Sequence, residues 1–292
     1  MAKKKTKRKT TTKKRDPELA ERNKRIAIGA SLAVLSGAVF VGGAMGVGEL
    51  DRVAADAIVS GTPEISINWP TLSDGTVWLP QAEQNNLHTA MMRSIKGGKA
   101  LSSEPLQEAV RTLQLSGWVD GTPVARWTSD GYIDIDAVWR VPCAVVRVGT
   151  REMLIDWNRR VLPLDYAIDQ SNQRYFINVD APLPTIGQQW VGTDIEDGIA
   201  LLRELRSNQL LDQVDGFDLG IGGESGTITI ITNRGTRVVW GAGPGRERPG
   251  EQPASVKIER LRQIYQRAGL LDAGAAYLDI RGDEIMYDPY PG

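Results

Sequence analysis

The stretch PVARWTSDGYIDIDAVW, residues 123–139, decides how the first half of this 292-residue chain folds. Asp130-Gly131 at its centre separates two short apolar-rich runs, which is a typical signal for a β-hairpin. In the second run one face carries Ile133, Ile135, Ala137 and Trp139, and the other carries Asp134 and Asp136. This alternation predicts a strand that is buried on one side.

A strand and two helices are predicted before this hairpin. Residues 64–69 alternate as a strand does, and the runs 81–95 and 103–116 carry apolar residues at helical spacing. Glycines follow both helical runs, Gly117 after the second, and glycine is a common helix stop. Residues 62–140 therefore predict a β-α-α-β-β unit in which two helices cover one face of a sheet.

From Val141 onward most of the pattern is that of strands. Eight short strands are predicted, at 143–148, 152–157, 161–164, 217–219, 227–231, 237–240, 276–281 and 284–287. Thr193 and Glu196 match a capping box at the start of one helix, and a second helix is predicted from 254 to 268, ending at Gly269. The segment Gly241–Pro253 is rich in Gly and Pro and predicts a loop.

An uncharged run, residues 26–48, follows a tail of Lys and Arg. A helix of that length spans about 34 Å, which is enough for the hydrocarbon core of a bilayer. A cleaved signal peptide would have a shorter apolar core, and a buried core helix would rarely lack polar residues on every face. The run therefore predicts a single-pass membrane anchor.

Charge is divided unevenly about this run. Residues 1–25 carry 12 Lys or Arg and three acidic residues, whereas the rest of the chain carries 23 basic and 33 acidic residues. Basic residues beside a spanning helix stay cytoplasmic, so the tail is expected inside, near anionic lipid, and the acidic body outside. No nucleic-acid partner is expected, because the external part is acidic and its tryptophans are dispersed.

The expected fold class is α+β, with a single-pass anchor, a β-α-α-β-β POTRA-like domain, and a mixed, mainly antiparallel sheet domain with two helices. The expected segments are a basic tail at 1–25, a transmembrane helix at 26–48, a linker at 49–61, the POTRA-like domain at 62–142, the sheet domain at 143–287 and a C-terminal tail at 288–292.

The inventory of reactive side chains argues against an enzyme. His88 is the only histidine and Cys143 the only cysteine. Nucleophilic triads need an imidazole beside the nucleophile, and zinc sites need several His or Cys ligands. We therefore expect no catalytic residue, no metal and no cofactor, and Cys143 has no partner for an intramolecular disulfide.

Several motifs, in order along the chain, resemble the bacterial cell-division protein family FtsQ (DivIB). They are Gly117-Trp118-Val119, Pro123–Trp127, Tyr132–Ile135 with Trp139–Ala144, Met153–Asp156 with Val161–Pro163, Leu183–Gly187, Val238–Gly241, Lys257-Ile258 with Leu261, and Tyr277–Arg281. The sequence departs from the family pattern at Asn158-Arg159-Arg160, at Asp130-Gly131 and at Gly282. The resemblance covers about residues 20–287.

The resemblance implies a non-enzymatic scaffold in the inner membrane at the division site, which supports septum formation. Its partners would be bitopic division proteins of the FtsB and FtsL type. We expect binding by strand addition, because a terminal strand exposes unpaired N–H and C=O groups. The candidate partner-binding residues are Ala276, Tyr277, Leu278, Asp279, Ile280, Arg281, Ile285, Met286 and Tyr287.

A different class of function competes with this one. The Gly241–Pro253 loop is long enough to contact a ligand, so the chain would alternatively be a membrane-anchored envelope sensor or a cell-wall-binding module with a POTRA domain.

Overall fold

The computed structural model describes residues 63–71, 75–96, 101–220 and 226–289. Residues 64–292 group as one compact unit. The described helices are α1 (Gln81–Ser94), α2 (Ser103–Leu115), α3 (Thr193–Ser207) and α4 (Ala254–Ala268). The described strands are β1 (Ile65–Ile67), β2 (Val119–Trp127), β3 (Ile133–Trp139), β4 (Pro142–Val148), β5 (Arg151–Asp156), β6 (Val161–Ala167), β7 (Tyr175–Ile177), β8 (Val214–Asp218), β9 (Ile228–Thr232), β10 (Arg237–Gly241), β11 (Ala275–Asp279) and β12 (Met286–Pro289).

The first half contains a small sheet in the order β1-β3-β2. The predicted hairpin joins β2 to β3, which pair antiparallel, and β1 lies parallel to β3 on the other side. Gly131 adopts φ 84°, a conformation that favours glycine, and its N–H donates to Thr128 O at 3.1 Å. Ile133 and Ile135 are fully buried, as the alternation predicted.

The second half forms a nine-stranded sheet in the order β12-β11-β10-β9-β8-β7-β4-β5-β6. Three of its neighbouring pairs are parallel, namely β10 with β11, β7 with β8 and β4 with β7; the others are antiparallel. The strand order places β12 at one edge and β6 at the other.

Two hydrophobic cores meet at the β4–β6 end of this sheet. Ala144, Val146 and Ile155 belong to the core that α3 and α4 cover. Val145 and Leu154, on the opposite face, belong to the core shared with the small sheet, α1 and α2. Successive side chains of a strand point to opposite faces, so these strands are buried on both sides.

The predicted fold class needs a correction, because it included a membrane anchor. Among the described residues no helix is long and apolar enough to cross a membrane. The four helices have 13 to 15 residues, about 22 Å at most, and each pairs a buried face with an exposed one. The predicted span, 26–48, and the basic tail, 1–25, lie outside the described residues. The described chain is an α+β fold with a large mixed sheet and four helices.

Local details also differ from the predictions. Helix α3 is capped by Gly192, whose C=O accepts from the N–H of Glu196 at 3.2 Å, so the predicted capping box at Thr193 is wrong. The strand β7 was not predicted, because three residues are too short to show alternation. The stop at Gly269 is confirmed, with φ 68° and its N–H donating to Tyr265 O.

The carboxylate of Glu152, on β5, accepts hydrogen bonds from the turn that contains Asp169 and Ser171. Its carboxylate is 1% exposed and accepts from Arg147 Nε at 3.0 Å and from the N–H groups of Asp169 at 3.1 Å and Ser171 at 3.3 Å. Burial by itself would raise the pKa of Glu152, but the hydrogen bonds from Ser171, Asp169 and Arg147 outweigh it and hold the pKa below its ordinary value.

Glu152→Gln should lower the free energy of unfolding at pH 7 by about 2 kcal/mol, because the charged acceptor of three donors is lost. The carboxylate contributes fully above its ordinary pKa of 4.5, and its contribution disappears as the pH falls through the lowered folded value. The gap between wild type and variant in urea unfolding should therefore narrow below about pH 4.5. The exposed Glu284, changed to Gln, is the control. A gap that stays constant down to pH 3 would contradict this assignment.

Candidate partner-binding edge

The candidate site is the C-terminal edge of the nine-stranded sheet. Strand β11, which carries four of the nine residues predicted to bind a partner, is paired on both sides, parallel to β10 and antiparallel to β12. The register sets Leu278 opposite Tyr287 and Asp279 opposite Met286. Among the described residues, the open edge therefore belongs to β12 and not to the strand that precedes it.

The hydrogen bonds of β11 show which backbone groups of β12 face outward. The N–H of Ile280 donates to Val239 O at 3.2 Å, so this N–H points toward β10. Backbone groups alternate along a strand, so those of Asp279 point toward β12 and meet Met286. It follows that the N–H and C=O of Tyr287 point away from the sheet, toward the open edge. Pro289 has no N–H to offer there.

The side chains at this edge are apolar and exposed. Met286 is 61% exposed, Tyr287 67%, Ile285 39% and Tyr277, on the neighbouring strand, 36%. All four residues of β12 are exposed, and Asp288 is the only charged one among them. Natural proteins usually protect such an edge with several charges or cover it, so an apolar open edge is characteristic of a binding surface.

Most of the remaining predicted residues are buried or half-buried beneath the exposed edge. Leu278 and Ile280 are 1% and 0% exposed and belong to the core under α3 and α4, whereas Ala276 is half-buried. Asp279 is 2% exposed and accepts from Arg281 at 2.8 Å through one carboxylate oxygen. The structure thus divides the predicted set into exposed edge residues, core residues and one ion pair.

The surroundings of the exposed Tyr277 phenol, beside the edge, shift its pKa. Burial of part of the Tyr277 ring, together with the negative charge of Asp279, raises the pKa of Tyr277 above its ordinary value. A tyrosine phenol is already a neutral hydrogen-bond donor at physiological pH, and this shift acts in the same direction.

The loop predicted from 241 to 253 is pinned next to this edge by Lys257, a fully buried residue of α4. Its Nζ donates to Trp240 O at 2.9 Å and lies 3.6 Å from Glu251 Oε2. The same Oε2 accepts from the N–H of Ala242 at 3.0 Å. Burial lowers the pKa of Lys257, and the charge of Glu251 opposes that shift.

A hollow of about 370 Å³ opens between this loop and the edge. Its walls are residues 248–251 of the loop, Asp279, Arg281 and Gly282 after β11, and Met286 of β12. A side chain of a strand added to β12 would have room beside Met286 to enter it, and this would give the edge a basis for selectivity.

The reactive side chains in the described ranges lie apart from this edge. Cys143 is buried in the core, and that burial raises the pKa of its thiol. Within the described part of the chain no group of three His, Cys, Asp or Glu side chains could hold a metal ion. Asp218 is fully buried and accepts from Arg237 at 2.7 Å.

Sequence reasoning missed two residues of the edge. Asp288 and Pro289 were assigned to the C-terminal tail, but both belong to β12. Pro289 concealed the end of the strand, since proline inside a run usually argues against a strand and is tolerated at an edge. No model of a known protein family matches the chain, and no curated protein matches its sequence.

Lys257→Met should lower the free energy of unfolding by about 3 kcal/mol, because Glu251 and the Trp240 carbonyl lose the cation they share. Urea unfolding followed by tryptophan fluorescence measures the change. The double variant Lys257→Met with Glu251→Gln should recover part of the loss, since no buried charge is left without its partner. Equal losses in the single and double variants would show that the ion pair does not matter.

Proposed function

We propose that this chain is a non-enzymatic docking scaffold of the bacterial division complex, and that it captures a strand of a partner protein on the open edge of β12. The observation that carries the proposal is this edge: four exposed residues at the end of a nine-stranded sheet, with the N–H and C=O of Tyr287 directed outward. An extended peptide satisfies such groups by pairing with them.

The ordered motifs shared with FtsQ support the class of partner. They imply bitopic division proteins of the FtsB and FtsL type, which the scaffold would hold at the division site to support septum formation. The terminal strands of the chain, from Tyr277 to Tyr287, are where the resemblance and the open edge coincide.

Main-chain pairing and side-chain contacts would have different roles in this binding. Each main-chain hydrogen bond would contribute about 1 kcal/mol net to the binding free energy. These bonds do not depend on the partner's side chains, so they do not distinguish one partner sequence from another. The exposed Met286 and Tyr287 offer apolar area, and the hollow beside Met286 selects the size of one partner side chain. Affinity would come from both, whereas specificity would come from the side chains.

The hollow also favours a second candidate function. Its wall contains the 248–251 part of the loop, and its mixed polar and apolar lining suits a small ligand such as a soluble cell-wall fragment. Binding of muropeptides in isothermal titration calorimetry, without any capture of division proteins, would favour an envelope-binding module.

Tyr287→Pro tests strand addition directly. The change removes the outward N–H of residue 287 but not the bonds by which Met286 pairs with β11. Capture of the extracytoplasmic segment of FtsB from the same bacterium, measured by biolayer interferometry, should weaken at least tenfold, through the lost donor and the clash of the ring with the added strand.

Tyr287→Ala is the matched control, because it removes the side chain and keeps the N–H. If main-chain pairing carries the binding, the alanine variant should bind more tightly than the proline variant. Equal binding by wild type and Tyr287→Pro, with both folded by circular dichroism, would refute strand addition at β12.

A further inference from the structure

The edge strand β12 has almost nothing to hold it by packing. None of its four residues is buried, so burial of apolar area contributes little to keeping it on the sheet. Its ladder with β11 spans few residues and is interrupted by an irregularity between Ala275 and Tyr277. A short exposed strand of this kind detaches easily unless the turn that leads into it is held.

That turn, residues 280–285, is held by one side chain of α4. The guanidinium of Arg260 donates through Nη1 to Ile280 O at 3.2 Å and also to Gly282 O, and through Nη2 to Asp283 O at 2.7 Å. Three carbonyls of the turn, those of Ile280, Gly282 and Asp283, thus accept from one planar group. The fixed fork of an Arg side chain suits such a task, whereas a Lys ammonium would not hold the same geometry.

A second contact reaches the same turn from the other side. The N–H of Gln252, at the end of the 241–253 loop, donates to Arg281 O at 2.7 Å, and its side-chain amide donates to Asp283 Oδ1. Hydrogen bonds from Arg260 and Gln252 together therefore hold residues 281–283, which lie just before the edge strand. Neither residue reaches β12 itself.

We propose that Arg260 is the positioning residue of the binding edge: it binds the carbonyls of Ile280, Gly282 and Asp283 to α4 and so keeps β12 in register on β11 with Tyr287 facing outward. The link from this clamp to partner capture rests on the proposed function, but the clamp itself does not. Gln252 assists at Asp283.

The test compares Arg260→Ala and Arg260→Lys with Arg262→Ala in the full chain. Arg262 is a matched control, since it lies on the same helix and also makes side-chain bonds, donating to Asn208 Oδ1 at 2.8 Å and to Glu259, far from the turn. Hydrogen–deuterium exchange of the Met286 and Asp288 amides, which face β11, is the readout, because a residue that supports only the core would not change it selectively.

In Arg260→Ala, exchange of the Met286 and Asp288 amides should rise about tenfold while β9 and β10 keep their protection, since opening of β12 no longer has to break the bonds made by Arg260. Arg260→Lys should recover only a small part of the protection. Arg262→Ala should leave these amides unchanged. Unchanged exchange in Arg260→Ala, or an equal rise throughout the sheet, would overturn the proposal.

Binding of the FtsB segment, by interferometry as above, separates the two proposals. If wild type binds it, Arg260→Ala should raise the dissociation rate about tenfold, and an unchanged rate would refute the positioning role. If wild type does not bind it, the proposed function fails, while the exchange data still decide whether Arg260 clamps the strand.

Discussion

The described structure depends on the burial of strands β4 to β6 on both faces. Val145 and Leu154 enter one core and Ala144 and Ile155 enter the other, so the small sheet with α1 and α2 and the layer of α3 and α4 meet on the same three strands. Double burial fixes the register there, because a one-residue slip would exchange the two sets of side chains. The opposite end of the sheet has no such constraint.

At that opposite end, hydrogen bonds rather than packed side chains position the last strand. Strand β12 has no buried side chain, and it is positioned by bonds from Arg260 and Gln252 to the turn before it. Polar contacts are weaker and more directional than a core, so the strand can be both ordered and available. Lys257 and Glu251 pin the loop beside it in the same way, through a buried ion pair. The docking that we propose would thus use an edge that hydrogen bonds position and that the hydrophobic core does not cover.

The helices and the Asp130-Gly131 hairpin could be predicted, because periodicity and turn chemistry are local. The terminal strand was also found, but the open edge was placed one strand too early, since Leu278 and Ile280 look alike in sequence whether or not a further strand pairs beside them. The predicted cap of α3 was wrong because Gly192 occupies the N-cap position, and glycine has no side chain to accept from the first-turn N–H groups.

The sequence by itself determined the α+β class of the described residues, the order of the elements and the stretch of chain in which the candidate site lies, because alternation, helical spacing and glycine turns act over a few neighbouring residues. Only the tertiary structure decided which strand is the edge, which way Tyr287 points and which side chain holds the turn. Those features arise from hydrogen bonds between elements far apart along the chain, such as Arg260 with Asp283, and local patterns carry no information about such distant pairings.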